Sequence, residues 1–289
     1  MAEITAALVK ELREKTGAGM MDCKKALQEV NGDMEAAVDF LRKKGLSSAA
    51  KKEGRIAAEG VVADILKGNV GVIVEINTET DFVAKNPDFL AFTNQMAELI
   101  ADENPADVDA LLQLNVEGKS VSEVLNEQIA TIGEKISIRR FERREGNNIG
   151  TYIHMGGKIG VVVELEGGDA ELAKDICLHV AALNPKFLDS SSVDKEYIAK
   201  EEEIFAAKLV EQGKPENMIA NIVKGQVAKL LKEVCLVNQP FVKDPDMSIE
   251  QLVKSKGGKI VAFSRFQMGE GIEKKQENFA EEVMRQIKQ

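Results

Sequence analysis

Side chains that commonly perform catalysis or bind metals are few in this sequence and are not spaced for either task. The histidines are His154 and His179, and neither belongs to a His-Glu-x-x-His pair of the kind that holds zinc. A lone histidine is more often a surface or capped residue than a ligand. The cysteines are Cys23, Cys177 and Cys235, and their wide spacing favours reduced thiols over a zinc site or a disulfide framework. We therefore expect no metal site and no bound cofactor.

Motifs for phosphate binding and nucleophilic catalysis are also missing from the sequence. Gly157-Lys158 and Gly258-Lys259 are each followed by isoleucine, whereas a phosphate-binding loop needs Ser or Thr there to bind magnesium. No Gly-x-Ser-x-Gly or Gly-x-Gly-x-x-Gly segment occurs. An enzyme that uses a single carboxylate or lysine stays an alternative, but no residue points to one. We expect a protein that is not an enzyme and has no catalytic residue.

The composition is that of an acidic, soluble chain with more than one domain. The 289 residues correspond to roughly two domains of about 150 residues. Lys and Arg total 38 and Asp and Glu total 48, and the net charge of −10 opposes binding to nucleic-acid phosphates. No apolar stretch approaches the ~20 residues of a membrane helix. With a charged start and no signal-like apolar run, the chain is expected to be cytoplasmic and to bind neither nucleic acid nor membrane.

The elements that must position any functional residue begin with a three-helix domain at residues 1–43. Apolar residues at helical spacing are interrupted by glycine-containing turns at Thr16–Met20 and Asn31–Asp33. Residues 44–56, rich in Ser, Ala, Lys and Gly, are expected to form a linker that is helical in part.

An internal repeat predicts two related α+β subdomains. Gly71–Ile76 matches Gly160–Leu165 at a spacing of 89, and each copy follows a β-branched stretch and precedes a helix. The same spacing pairs Ala84-Lys85 with Ala173-Lys174. We expect the core of the protein to consist of these two subdomains, at residues 57–142 and at residues 143–192 with 236–268.

Two further segments complete the α+β architecture. Residues 193–235 contain two helical segments separated by Gly213-Lys214-Pro215, which predicts an inserted antiparallel coiled-coil hairpin. Residues 269–289 are expected to form a C-terminal helical module, with an amphipathic helix at residues 273–286.

The segment between the first repeated strand and its helix has two interpretations. In the structural one, Thr80 or Asp81 caps the helix and Phe82 is a core side chain. In the functional one, Asp81 and Phe82 lie on an exposed loop and anchor the chain to a partner. At a spacing of 89 the second copy has Ala170 and Glu171 in their places, so the fold needs no aromatic residue there. The two interpretations are then equally supported.

Met20 and Met21 also have two interpretations. They either fill space between short helices or form an adaptable apolar binding patch. Lys24 and Lys25 follow, either as a cationic rim of that patch or as an ordinary solvated helix face.

A series of segments in one order along nearly the whole chain carries a family resemblance. They are Leu12–Leu27 (LREKTGAGMMDCKKAL), Asn31–Asp33 (NGD), Thr80–Lys85 (TDFVAK), Gln239–Val242 (QPFV), Arg265-Phe266, and Gly269–Lys274 (GEGIEK). Together they resemble the signature of bacterial elongation factor Ts. That family's function is guanine-nucleotide exchange on elongation factor Tu in translation elongation.

The resemblance implies a fold and a set of site residues. It implies a ubiquitin-associated-like N-terminal domain, a core of two subdomains, a coiled-coil hairpin and a C-terminal module. It implies that the chain binds elongation factor Tu in its GDP-bound and nucleotide-free forms. Thr80, Asp81, Phe82 and Val83 would displace the magnesium ion that helps to hold GDP, so that GDP leaves and GTP can rebind. Further contacts are implied at Met20, Met21, Lys24, Ile132, Gly133 and His154, and self-association is an option for the hairpin.

Two other classes of function stay open on the residues alone. The first is an enzyme or ligand-binding protein that uses the cleft between the subdomains. The second is an adaptor associated with the ribosome or a chaperone, in which the three-helix unit docks a helix of a partner. The adaptor would bind without accelerating nucleotide release, so the rate of GDP release from elongation factor Tu separates these classes from an exchange factor.

Overall fold

The computed structural model describes residues 4–273, which begin with three helices. They are α1 (Ala6–Thr16), α2 (Met20–Glu29) and α3 (Met34–Lys52). The side chain of Thr5 caps α1 and that of Asp33 caps α3, as expected for Thr and Asp at a helix start. The buried residues between the helices form one small apolar cluster, made of Val9, Leu12, Cys23, Ala26, Leu27 and Ala37.

The first α+β copy follows these helices. Its elements are β1 (Glu59–Lys67), β2 (Val70–Thr78), a 3-10 turn (Val83–Lys85), α4 (Pro87–Glu103), α5 (Val108–Gln113), β3 (Asn115–Val116), β4 (Lys119–Ser120), α6 (Val121–Ile132) and β5 (Ile136–Glu145). A three-stranded sheet has the order β1-β2-β5, with the repeated strand β2 in the centre. The central strand is buried along most of its length because a neighbour lies on each side.

The segment expected to be a partly helical linker, residues 44–56, is helical to Lys52 as the end of α3. A side chain Cβ built on Gly45 would lie 3.5 Å from the Cβ of Ala130, which shows how closely α3 and α6 approach each other. Packing of α3 on α6 extends the third helix past the Ser- and Lys-rich boundary that local composition suggested.

The second α+β copy repeats the order of elements. It contains β6 (Asn148–His154), β7 (Ile159–Gly167), α7 (Ala170–Leu183), a 3-10 turn (Leu236–Asn238), β8 (Pro240–Phe241), β9 (Asp244–Ser248), α10 (Ile249–Ser255) and β10 (Gly258–Gln267). Strands β6 and β7 are antiparallel, and the sheet order β10-β7-β6 again places the repeated strand in the centre. Before its last strand, each copy has a short β-hairpin followed by a helix with a capping box, formed by Ser120 and Glu123 in one and by Ser248 and Gln251 in the other.

A helical hairpin interrupts the second copy. Helices α8 (Lys195–Glu211) and α9 (Glu216–Val234) pack against each other and are joined by a short turn, in the segment where the sequence predicts a hairpin. At its base, the backbone N–H groups of Lys186 and Phe187 both donate to the carbonyl of Val234, at 2.9 and 3.1 Å. Cys235, directly after the hairpin, is fully buried. The hairpin therefore ends at Val234, and Cys235 belongs to the core of the second copy.

A buried histidine joins α7 to the Gln-Pro-Phe-Val segment. His179 is fully buried, its Nε2 lies 2.8 Å from Oε1 of Gln239, and its Nδ1 accepts the backbone N–H of Val242 at 3.2 Å. Since the backbone N–H can only donate, Nδ1 carries no proton and the ring is neutral. Burial lowers the pKa of His179 from its ordinary value. His179 is thus a core histidine whose two ring nitrogens are both hydrogen-bonded, and the prediction that it lies at the surface is wrong.

The helix register of the repeat differs from the one expected. Helices α4 and α7 end at Asn104 and Asn184, which both adopt the left-handed conformation with φ of 48°. Their buried positions also correspond at a spacing of 184 − 104 = 80, from Phe92 and Leu172 onward. The strands correspond at 89. Pairing Ala84-Lys85 with Ala173-Lys174 is therefore wrong. The offset of 89 − 80 = 9 residues in the first copy consists of six extra residues in the connection after the strand and three extra residues at the start of α4.

The described residues confirm an α+β fold class, and they divide into two compact units. Of the described residues, one unit contains 4–63, Val74–Phe141 and 267–273, and the other contains Asp64–Ile73 and Glu142–Phe266. The three-helix segment and most of the first copy thus fall in one unit, and the domain boundaries inferred from the sequence stay predictions. The expected C-terminal helix at residues 273–286 lies outside the described residues, except for Glu273. Between residues 4 and 273, every helix is too short or too polar to cross a membrane.

Candidate functional site

The extra residues of the first copy form an exposed loop that displays an aromatic side chain. The loop Thr78–Lys85, here called the Phe82 loop, connects β2 to α4 and ends in the 3-10 turn. Phe82 is 82% exposed, more than any other large apolar side chain in the described residues. The interpretation of Phe82 as a core side chain is therefore wrong. The phenyl ring is therefore accessible from solvent.

One carboxylate holds the start of the Phe82 loop. Oε2 of Glu134 accepts hydrogen bonds from Oγ1 of Thr78 at 2.9 Å and from the backbone N–H groups of Glu79 and Thr80 at 3.1 and 2.9 Å. Its Oε1 accepts from Oγ1 of Thr80 at 2.7 Å. Hydrogen bonds to a charged group are each worth about 1.5–3 kcal/mol, so four of them fix this segment firmly.

A second carboxylate makes the reciprocal connection from the loop. Oε1 of Glu79 accepts the backbone N–H of Lys135 at 2.6 Å and a guanidinium N–H of Arg55 at 3.2 Å. The ammonium group of Lys135 in turn donates to the carbonyls of Glu53 and Arg55, at 2.6 and 3.0 Å. The segment that leads into β5 and the Phe82 loop are thus joined by the carboxylates of both Glu134 and Glu79.

The tip of the loop is organised by Thr80 and by an ion pair. Oγ1 of Thr80 accepts the backbone N–H of Val83 at 3.4 Å and supports the turn. The N-cap of α4 is Asn86, so the interpretation in which Thr80 or Asp81 caps this helix is wrong. Oδ2 of Asp81 accepts from the ammonium group of Lys85 at 2.7 Å, and about half of the Asp81 side chain stays exposed. Asp81 and Phe82 are therefore adjacent and accessible on a turn whose base is held by Glu134.

Other residues that the family resemblance implies lie in the same compact unit. Met20 and Met21 are 58% and 74% exposed at the start of α2, and Lys24 is exposed one turn later. Ile132 is half-buried at the end of α6, and Gly133 follows it with a φ of 88°. This left-handed conformation favours glycine, and it turns the chain from α6 into Glu134. The position of Gly133 thus has a structural explanation in addition to the implied contact.

His154 lies at the end of β6 in the second compact unit. Its side chain is partly buried, and its Nδ1 lies 3.1 Å from the hydroxyl oxygen of Tyr152. Met155, the next residue, is 70% exposed.

The cysteines lie in the interior of the protein. All three cysteines are buried and free, and burial raises the pKa of the Cys177 thiol to about 12. Such a thiol is a poor nucleophile at neutral pH. Within residues 4–273, no three His, Cys, Asp or Glu side chains are grouped so as to hold a metal ion.

Sequence patterns alone did not reveal Glu134 or Glu79. No local pattern marks either residue, because the hydrogen bonds that join the Phe82 loop to residues 134–135 connect positions 54 to 56 apart in the sequence. The position of Glu134 directly after Gly133, between a helix and a strand, is the one local sign that the chain turns there to meet another segment.

The fold and this loop define a mixed α+β protein that presents an exposed aromatic side chain on a firmly held turn. The sequence model of the elongation factor Ts family matches residues 79–270. The chain is also 54% identical over 290 aligned residues to elongation factor Ts of Thioalkalivibrio sulfidiphilus (strain HL-EbGR7), with 99% of each sequence covered. The chain therefore belongs to the elongation factor Ts family of translation elongation factors. Membership implies nucleotide exchange on elongation factor Tu.

Proposed function

We propose that this chain binds elongation factor Tu in its GDP-bound form, displaces the magnesium ion and thereby promotes release of GDP so that GTP can rebind. In this proposal Thr80, Asp81, Phe82 and Val83 act on the magnesium site of the partner. Met20, Met21, Lys24, Ile132, Gly133 and His154 supply further contacts. The observation that carries the proposal is the exposed Phe82 on a loop that the second copy of the repeat lacks.

The thermodynamics of exchange require no covalent chemistry from this chain. An exchange factor must bind the nucleotide-free partner more tightly than the nucleotide-bound partner. By linkage, the factor by which it weakens GDP binding equals the factor by which GDP weakens its own binding. A chain with buried thiols and without a recognisable catalytic motif can perform this task, because binding energy alone shifts the equilibrium.

The Phe82 loop supplies an apolar and a charged group that can shift the partner from its nucleotide-bound to its nucleotide-free form. Burial of the Phe82 ring in a pocket of the partner would stabilise a rearranged partner conformation. The Asp81 carboxylate beside it can compete for donors near the magnesium site. Loss of magnesium removes the charge that bridges the nucleotide phosphates, and GDP is then held less tightly.

Substitution of Phe82→Ala tests the proposal. We expect GDP release from purified elongation factor Tu, measured with substoichiometric amounts of this chain, to slow about 30-fold, the effect of losing about 2 kcal/mol. The melting temperature should stay that of the unsubstituted protein, because the ring is exposed. Leu90→Ala on α4, which removes a 38% exposed apolar side chain of the same unit, is the matched control and should leave the rate unchanged. Unchanged GDP release with Phe82→Ala would contradict the role of Phe82.

A further inference from the structure

Glu134 connects two segments that the proposed function uses for different contacts. Ile132 and Gly133 precede it directly, and its carboxylate accepts four hydrogen bonds from Thr78, Glu79 and Thr80. The partners come from two side chain hydroxyls and two backbone N–H groups, so the carboxylate fixes both the path of the backbone and the rotamers of the threonines. No loop equivalent to this one exists in the second copy, where α7 begins directly after the turn that ends β7.

We propose that Glu134 is the positioning residue of the exchange site. It holds the Phe82 loop in the conformation that presents Asp81 and Phe82, and Glu79 completes the connection through Lys135. This inference rests on the proposed function, because Glu134 acts through Phe82.

The energetic reason is preorganisation. An exposed loop of this length without a tie to its surroundings would sample many conformations, and binding would then have to order it. Four hydrogen bonds to one carboxylate order its base before the partner arrives. The 3-10 turn from Val83 to Lys85 and the ion pair of Asp81 with Lys85 order the remainder.

Glu134→Ala is the first test. We expect the rate of GDP release to fall between about tenfold and about 100-fold, the range for misplacing a functional group by about 1 Å. Glu134→Gln should restore most of the rate, because the amide oxygen can still accept the backbone N–H groups while the amide nitrogen donates to Oγ1 of Thr80. Glu98→Ala, an exposed glutamate on α4, is the control and should behave as the unsubstituted protein.

Thr78→Val separates positioning from direct contact. Thr78 is fully buried, so its hydroxyl cannot touch the partner, yet it donates to Glu134 at 2.9 Å. Valine has nearly the same shape and keeps the strand. We expect GDP release to slow about fivefold, the change produced by losing one net hydrogen bond. This variant also decides the matter if Glu134→Ala fails to fold.

A double substitution distinguishes this inference from the proposed function. In a Phe82→Ala background, Glu134→Ala should cause a smaller further loss than it does alone, because Asp81 is then the only one of the two positioned groups that remains. An additive loss, or a normal rate with Glu134→Ala or Thr78→Val, would overturn the positioning role while leaving the function of Phe82 intact. If Phe82→Ala itself exchanges normally, the proposed function fails, and the inference fails with it.

Discussion

The two copies of the repeat share one scaffold and differ in what is inserted into it. In both, the repeated strand is central in a three-stranded sheet and the following helix ends at a left-handed asparagine. The first copy has eight residues between strand and helix where the second has two, and the second inserts the α8–α9 hairpin between α7 and β8. Surface insertions cost little loop-closure entropy, so a scaffold can acquire them without losing its core. The shared elements therefore supply stability, and the segments in which the two copies differ are the candidates for function.

The two insertions are also held in different ways. The Phe82 loop is tied down by side chain carboxylates of Glu79 and Glu134, which come from separate segments. The hairpin is stabilised by contacts between its own two helices and is joined to its base by backbone hydrogen bonds to Val234. The loop thus depends on its surroundings for its conformation, whereas the hairpin is largely self-supporting.

The largest expected effect concerns equivalent core positions of the two copies. Met96 and Ile176 are both fully buried and correspond at the spacing of 80. We expect Met96→Ala and Ile176→Ala each to lower the free energy of unfolding by about 2–5 kcal/mol, since each leaves a cavity in a packed core. Chemical denaturation followed by circular dichroism measures both.

The matched controls for this pair lie on the same helices. Asn94 and Lys174 correspond at the same spacing and are exposed, so Asn94→Ala and Lys174→Ala should each change stability by less than about 0.5 kcal/mol. A large loss at one core position and none at the other would show that the copies do not share an equivalent core.

A smaller effect on stability is expected from pH, through a histidine that only the second copy has at this position. His179 stands where the first copy has Leu99, and burial lowers its pKa from the ordinary value of 6.5. The unfolded chain then binds a proton at pH values where the folded chain does not. The stability linked to His179 is therefore complete above pH 6.5 and is lost as the pH falls from there through the folded pKa.

The substitution His179→Leu, which reproduces the residue of the first copy, tests this dependence. Between about pH 7.5 and about pH 5.5 it should remove part of the decline in unfolding free energy. The overall stability should be lower, because Gln239 and Val242 lose their partner. His154→Ala is the control, and it should retain the decline in unfolding free energy that His179 causes. If the unfolding free energy of His179→Leu falls as steeply with pH as that of the unsubstituted protein, His179 does not cause the decline.

The smallest effect is expected from excising the hairpin. Replacing residues 195–233 with a short Gly/Ser connector keeps Val234 and Cys235, whose backbone contacts close the base. The shortened chain should stay folded and retain GDP release through the Phe82 loop, while any self-association decreases because exposed Ile204 and Met218 are removed. Light scattering and the GDP-release assay measure the two outcomes. An unfolded product would show that the hairpin is part of the core.

Local features of the structure could be predicted well from the sequence. The Gly and Asn turns divided the N-terminal helices correctly, and the β-branched runs located the two central strands, because backbone conformation and burial of one face are local properties. The Thr-Asp-Phe-Val segment was recognisable as a candidate contact through its family resemblance. The length of α3 was not predictable, since its last turns depend on packing against α6.

By itself, the sequence determined the fold class, the repeat and the identity of the segments that could contact a partner. Tertiary structure alone decided that the helices of the repeat align at 80 rather than 89, that Phe82 is exposed, and that Glu134 holds its loop. The physical reason is that exposure and hydrogen bonding are relations between distant segments. Residues 78–80 and Glu134 are more than 50 positions apart, and only the folded chain brings the carboxylate to the threonine hydroxyls and backbone N–H groups that it binds.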